Sequence, residues 1–333
     1  MNPILECVPN FSEGRNQAMI DAIASAIRAV EGVQLLHIDV GFAANRTVMT
    51  FVGQAGQVVE AAFRAIRTAS ELIDMRQHQG EHPRIGATDV CPLIPIAGIE
   101  LEEVVTYATQ LASRVGTELD IPVYLYEAAA QKASRKNLAT IRKGEYEGLA
   151  QKMESENWQP DFGKDFNARS GATVIGARNF LIAYNVNLNT DSVAIANEIA
   201  QEIRESGKII VENGEKKRIK GKYKSLKAIG WYIKEYGKAQ VSMNLTDYNI
   251  TGMHHVFEAC QTSAARLGVE VTGSELIGLV PLDALLAAGK FYQPEATNEV
   301  SLLEVAVKVL GLSDLAPFNI EERVIERLME SIN

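Results

Sequence analysis

The chain has 333 residues, 47% of them hydrophobic and 23% charged, an ordinary globular composition that points to two packed units. A formal net charge of -9 excludes general affinity for nucleic acid, which draws on concentrated Lys and Arg. No apolar run approaches the ~20 residues that cross a bilayer, and the start, MNPILECVPNFSEG, has no basic stretch followed by an apolar signal core. A cytoplasmic protein without membrane contact is therefore expected.

In chain order, residues 4–8 open as a strand, and Ile20, Ile23, Ile27 and Val30 follow at helical spacing. Alternating or β-branched runs at 33–39 and 47–52 predict two more strands, with Gly53, Gln54, Ala55 and Gly56 as a turn into the next helix. That helix carries Val59, Ala62, Phe63, Ile66 and Ile73. A strand at 87–96, a helix through Val105, Ala108, Leu111, Ala112 and Val115, and a strand at 122–126 complete the first half. The charged stretch 131–165, with Lys132, Arg135, Lys136, Arg142 and Lys143, predicts helix plus connecting loop.

The second half repeats the scheme. A strand at 180–186 leads to a helix through Ile195, Ile199 and Ile203 that Asp191 or Ser192 caps. Strands at 228–233 and 239–245, a helix with Met253, Val256, Phe257, Cys260 and Leu267, and strands at 269–271 and 276–280 follow. From Glu295 onward, helices run through Val300, Leu303, Val307 and Leu310 and through Val324, Ile325 and Leu328, broken by Pro317. Each half reads as a split βαβ unit, so the expected fold is α+β: two ferredoxin-like subdomains in tandem, each an antiparallel sheet with helices on one face, plus a C-terminal helical tail. The expected boundaries are 1–178, 179–294 and 295–333.

Cys7, Cys91 and Cys260 lie far apart with no CxxC spacing, which suggests small core residues rather than a disulfide frame or a zinc site. Lys208, Lys216, Lys217, Arg218, Lys220, Lys222 and Lys224 make a local basic loop. It reads either as a solvated hairpin turning at Asn213-Gly214 or as a positive field that steers a polyanionic small molecule. No phosphate-binding GxxxxGK[ST], nucleotide-type GxGxxG or GxSxG elbow is present.

His78 and His82 stand at HxxxH spacing, but Gly80 and Pro83 argue against the helix that would aim both rings at one metal, so no metal is expected. His82 is the better candidate of the two for acid–base work, because Pro83 stiffens its backbone and Glu81 or Asp89 would orient or charge the ring. An idle surface histidine is the competing account. The pair His254-His255, at the start of a helix, reads as structural. Asp39 ends one strand and Asn45-Arg46 opens the next: Asp39 suits the paired donors of a heterocycle edge, and Arg46 suits a carboxylate. A salt bridge between Asp39 and Arg46 accounts for them equally well. Arg84-Ile85-Gly86-Ala87-Thr88 is echoed by Arg169-Ser170-Gly171-Ala172-Thr173, which places two glycines where backbone would approach a ligand.

Longer blocks carry a resemblance. Glu6-Cys-Val-Pro-Asn-Phe-Ser-Glu-Gly-Arg15, Asn45-Arg46-Thr47, Gly80-Glu-His-Pro-Arg-Ile-Gly-Ala-Thr-Asp-Val-Cys-Pro92, Ile121-Pro-Val-Tyr-Leu-Tyr-Glu127, Gly171-Ala-Thr-Val-Ile-Gly-Ala-Arg178, Ile229-Gly-Trp-Tyr232 and Gln240-Val-Ser-Met-Asn244 resemble the formiminotransferase unit of formiminotransferase-cyclodeaminases. Leu310-Gly-Leu-Ser-Asp-Leu-Ala-Pro-Phe318 resembles the family's linker. The resemblance covers essentially the whole chain and ends before a cyclodeaminase. It implies a stand-alone transferase, a homodimer, with a crevice between its two sheets that takes tetrahydrofolate as co-substrate and N-formimidoyl-L-glutamate as donor. It places the catalytic histidine at His82 and the folate-binding loop at Gly163, Lys164, Asp165, Phe166, Asn167, Ala168, Arg169, Ser170, Gly171 and Ala172. Relatives on this fold that act on formylated substrates, as glutamate formyltransferases or ATP-dependent 5-formyltetrahydrofolate cyclo-ligases, and a non-catalytic folate-binding protein are the alternatives.

Overall fold

The apolar stripes fold close to where their spacing puts them. A computed structural model describes residues 3–42, 44–212 and 215–330, and the chain divides into two units, Met1–Asn179 and Phe180–Asn333. Both mix helices and sheet, and the chain is α+β.

Unit 1 contains β1 (Ile4–Cys7), β2 (Asn10–Phe11), α1 (Gln17–Arg28), β3 (Val33–Gly41), β4 (Arg46–Gln54), α2 (Ala55–Leu72), β5 (Thr88–Ala97), α3 (Leu101–Glu118), β6 (Val123–Glu127), α4 (Leu138–Arg142), α5 (Glu145–Met153) and β7 (Thr173–Ala177). The Asn16 side chain caps α1 by accepting the Met19 N–H at 3.3 Å, and Glu100 with Glu103 forms a capping box at the start of α3. The expected turn at 53–56 does not form: β4 passes through Gly53 and Gln54 straight into α2.

The sheet of unit 1 runs β3, β4, then β1 and β2 side by side with both neighbours, then β5, β7 and β6. Its first part is antiparallel, but β7 pairs parallel to both β5 and β6. The purely antiparallel sheet expected for this half is thus corrected to a mixed one. Strand β7 is wholly buried, and of the echo block Arg169–Thr173 it takes in Thr173 alone.

Side-chain alternation along these strands fills two cores. Val123, Leu125, Ile175 and Ala177 face the layer of α1, α2 and α3, whereas Tyr124, Tyr126, Val174 and Val90 meet Ile141, Leu149 and Met153 of α4 and α5 on the other face. The segment 131–165 is pinned by Arg135, which is fully buried and pairs with Asp161 at 2.5 Å while donating to the carbonyls of Asn157 and Gln159. A buried guanidinium requires such partners.

Unit 2 contains β8 (Ile182–Leu188), α6 (Val193–Ile203), β9 (Lys208–Glu212), β10 (Glu215–Ile219), β11 (Leu226–Ile233), β12 (Lys238–Leu245), α7 (Met253–Arg266), β13 (Val271–Ile277), α8 (Leu282–Tyr292), α9 (Glu299–Val309), α10 (Ile320–Arg323) and α11 (Ile325–Glu330). Ser192 is the cap of α6. The sheet order is β11-β12-β8-β13, antiparallel throughout. The two strands expected at 269–271 and 276–280 are one, β13, whose register shifts between Val271 and Gly273. Helix α8 was not among the expected elements. The basic stretch forms the two-stranded β9–β10 ribbon, with the predicted turn at Asn213-Gly214 outside the described residues.

Both edges of the unit 2 sheet are occupied from within the chain. Along β11, the Glu205 N–H donates to Leu226 O at 2.9 Å, Arg204 Nη1 donates to Ala228 O at 3.1 Å, and the Gly230 N–H donates to Asn197 Oδ1 at 2.9 Å. Along β13, the Ser274 N–H donates to Gly311 O at 2.9 Å. The residues after 295 are built into this unit: Leu303, Ala306, Leu310, Leu312 and Val324 belong to its core.

Candidate active site

The histidine-bearing segment lies between α2 and β5 and is not helical, as Gly80 and Pro83 require. Two neighbours, Asn45 and Ser12, brace it, and His78 and Arg84 tie it together from within. Asn45, in the left-handed region at φ 46°, accepts the Gly14 N–H through Oδ1 and donates from Nδ2 to Gln79 O, both at 2.9 Å. Ser12 Oγ donates to Gly86 O at 2.7 Å. His78 Nε2 bonds Asn45 O at 2.9 Å, and Arg84 Nε donates to His78 Nδ1 at 3.1 Å. Because arginine can only donate, the His78 proton sits on Nε2 and neither nitrogen has a lone pair left for a metal. Burial, with Arg84 adding to it, lowers the His78 pKa.

His82 is different in kind. Its ring is half-buried, and burial followed by the positive charges of Arg46 and Arg142 pushes its pKa down to about 2, against the Pro83 backbone. The imidazole is neutral at physiological pH. The expectation that Glu81 or Asp89 charges it is corrected. Glu81 is exposed, and Asp89 uses Oδ1 to accept the Ile85 N–H at 2.9 Å and Oδ2 to pair with Arg142. The carboxylate thus holds its loop and an arginine, and leaves His82 among cations.

The Arg46 side chain makes no hydrogen bond or ion pair among the described residues, and burial and Arg142 lower its pKa. The salt bridge to Asp39, one of the two accounts the sequence allowed, is not seen among the described residues: Asp39 acts on Arg46 through space. The β3–β4 register sets Gly41 opposite Arg46 and Asp39 opposite Val48, so Asp39 and Arg46 share the sheet face turned away from Met49 and Phe51 in the helix-side core. Asn45, by contrast, has its amide fully engaged in bracing. A small cavity is bounded by Ser12, Ala44, Arg46, His82, Arg84 and Asp89. Beyond Arg84 lies an open cleft of ≈ 460 Å³ rimmed by Gln79, Gly144, Glu145 and Glu147. Arg84 is already paired there, with Glu145 at 3.0 Å and Glu147 at 2.6 Å, so the unpaired cationic chemistry stays on the His82 side.

The segment 163–172 sits against the histidine loop. The Ala87 N–H donates to Ser170 O at 2.7 Å and the Ala172 N–H to Ile85 O at 3.0 Å, a reciprocal bridge across Gly86 and Gly171. A Cβ on Gly171 would lie 2.2 Å from Ile85 O, and one on Gly86 2.1 Å from Ala172 O. The echoed glycines accommodate each other rather than a ligand. Asn167 Oδ1 accepts the N–H groups of Arg169 and Ser170, while the Arg169 guanidinium donates to Ser70 O and Glu71 O at the end of α2. Phe166 packs on Tyr146 with ring centroids 6.0 Å apart, Gly163 adopts φ 70°, and Ala168 O accepts the Tyr146 hydroxyl. Lys164 and Asp165 are exposed. Gly86→Ala is expected to cost about 1–3 kcal/mol through overpacking, read as a lower denaturant midpoint with an unchanged slope. An unchanged midpoint would show that the bridge relaxes freely.

Residues 4–178 match the formiminotransferase domain, N-terminal subdomain, and residues 183–330 match the formiminotransferase domain. The chain belongs to the formiminotransferase family. It is 44% identical to the glutamate formimidoyltransferase of Streptococcus pyogenes serotype M1, over 88% of this chain and 94% of that protein. Against the glutamate formimidoyltransferase of Thermoplasma acidophilum, identity is 42% over 90% and 96%. The formimidoyltransferase-cyclodeaminase of Rattus norvegicus is 48% identical over 99% of this chain, but the chain covers 60% of that protein's length. Within this chain, the residue that sequence reasoning passed over is Arg142. It stood out only as one charge in a basic stretch, and no local pattern ties it to Asp89, 53 residues away.

Proposed function

We propose that this chain transfers the formimidoyl group from N-formimidoyl-L-glutamate to N5 of tetrahydrofolate, giving 5-formimidoyltetrahydrofolate and L-glutamate. The observation that carries this is a neutral imidazole, His82, beside an arginine, Arg46, whose side chain has no partner among the described residues. A free guanidinium in a half-buried setting suits a donor carboxylate, and a neutral imidazole suits proton transfer. N5 attacks the amidine carbon and forms a tetrahedral centre. His82 takes the proton from N5 and returns it to the glutamate nitrogen as that bond breaks. Anionic substrate against Arg46 offsets the positive charge that holds His82 down, so basicity rises when the donor binds.

The folate is assigned to the segment 163–172, where Lys164 and Asp165 are open to a ligand while Asn167, Arg169 and Ser170 maintain the loop, and to Asp39, whose carboxylate has no hydrogen bond or ion pair among the described residues. The β-α-β-β-α-β order of both units supports ferredoxin-like topology for each, and a homodimer is the proposed assembly. The test is product formation from tetrahydrofolate with formimidoylglutamate, or with formylglutamate, each with and without ATP. Transfer from the formimidoyl donor without ATP is expected, and an ATP requirement overturns the reading. Saturating tetrahydrofolate should also raise the melting temperature, since a ligand that binds only the native state stabilises it. No shift at saturation would count against a folate site.

A further inference from the structure

Arg142 is the last residue of α4, a helix of 5 residues. The final carbonyls of any helix lack partners within it, and here Lys143 at the C-cap makes no backbone bond back into the helix. Lys152 supplies them from α5. Its Nζ donates to Thr140 O at 3.2 Å, Ile141 O at 2.6 Å and Lys143 O at 3.0 Å, which uses all three ammonium protons. The same Nζ lies 3.9 Å from the centroid of the Trp158 ring. A cation at a helix C-terminus is favourable in its own right. The charged groups around it are Lys143 and Arg135, both repulsive, and Arg135 is already paired with Asp161. With burial acting first, they bring Lys152 down to about 8.

The other end of this arrangement is the active site. Arg142 pairs with Asp89, and its charge acts on both His82 and Arg46. We propose that Lys152 is a positioning residue: by holding the terminal carbonyls of α4 it fixes where Arg142 stands, and Arg142 in turn sets the electrostatic environment of His82. The proposal rests on His82 as the proton-transferring group. Lys152 touches neither substrate nor reacting atoms in this scheme.

The experiment uses the full chain with Lys152→Met, Arg142→Met, the double variant and Lys152→Arg. The His82 ring is titrated by NMR, and kcat and KM are measured in parallel. Lys152→Met is expected to let His82 protonate at higher pH than in the wild type and to lower kcat roughly 10- to 100-fold, the scale of a small displacement near the chemistry. Arg142→Met should do the same, and the double variant should go no further than Arg142→Met alone. Lys152→Arg, which keeps charge and donors, should restore most of both. If Lys152→Met does not fold, Lys152→Gln removes the charge and keeps a donor. A fall in activity with an unmoved His82 titration, or full additivity in the double variant, overturns the proposal. The titration needs no turnover, so absence of transfer in the wild type would count against the proposed function alone.

Discussion

Replacing His82 with alanine is expected to reduce formimidoyl transfer by about 10²- to 10⁴-fold, the usual contribution of a general acid–base group. Folate affinity and the melting temperature should change little, because among the described residues the half-buried ring bonds only to the backbone of its neighbour Pro83. His78→Ala is the control. His78 links Asn45 O to Arg84, so its removal should cost stability first and turnover second. Equal losses of kcat in the two variants would sink a single-histidine mechanism.

The pH dependence follows from the same geometry. His82 has a folded pKa below its unfolded value of 6.5, so on acidification the unfolded chain takes up the proton first. Stability is therefore lost as pH falls through 6.5, and the free protein should show no activity limb near 6.5 from His82 itself. A protonation step of this ring near neutrality, read by NMR in the free protein, would contradict the role given to Arg46 and Arg142.

Ending the chain at residue 294 is expected to unfold unit 2. The cut removes Leu303, Ala306, Leu310, Leu312 and Val324 from a shared core, and burying each larger aliphatic side chain is worth roughly 1.5–3 kcal/mol. The combined loss is comparable to the whole stability of a domain, ~5–15 kcal/mol. It also strips Gly311 from its contact with Gly273, where a Cβ on Gly311 would sit 2.7 Å from Gly273 Cα. Circular dichroism melts of the two lengths decide the matter, and a truncated chain with an unaltered melting transition would refute the expectation.

Where one physical rule dominated, the fold was legible in the amino acids. One-sided stripes such as Ile20, Ile23 and Ile27 place α1, and Ser192 marks the start of α6 as a cap should. Misreadings occur where two signals compete. Strand β7 lies between Gly171 and Arg178 and contains Gly176, and at 5 residues it offers too short a β-branched run to stand out between glycines. In β13 the polar run Thr272-Gly273-Ser274-Glu275 hides a continuous strand, because Ser274 and Gly273 point into contacts made by the chain end rather than into apolar neighbours. Helix α8, Leu282–Tyr292, is apolar on too many sides to show a stripe.

In the site, His82 and Arg46 were visible as residue types that suit the chemistry. The electrostatics around them were not. Asp89 is a short step from His82 in sequence, yet it turns to the Ile85 amide and to Arg142, a partner brought in by the folding of 131–165 over the sheet. Proximity along the chain suggested a carboxylate–imidazole pair, and the tertiary arrangement substituted a second cation.

The closed edges of the unit 2 sheet bear on assembly. Leu226, Ala228 and Gly230 on one border and Ser274 on the other have spent their outward backbone groups on Glu205, Arg204, Asn197 and Gly311. A second copy therefore finds no open ladder to continue along those stretches, and runaway strand-to-strand growth has no template there. Self-association along those stretches must be built from side chains meeting across faces, so its specificity there is open to change by surface substitution without disturbing a rung of the sheet.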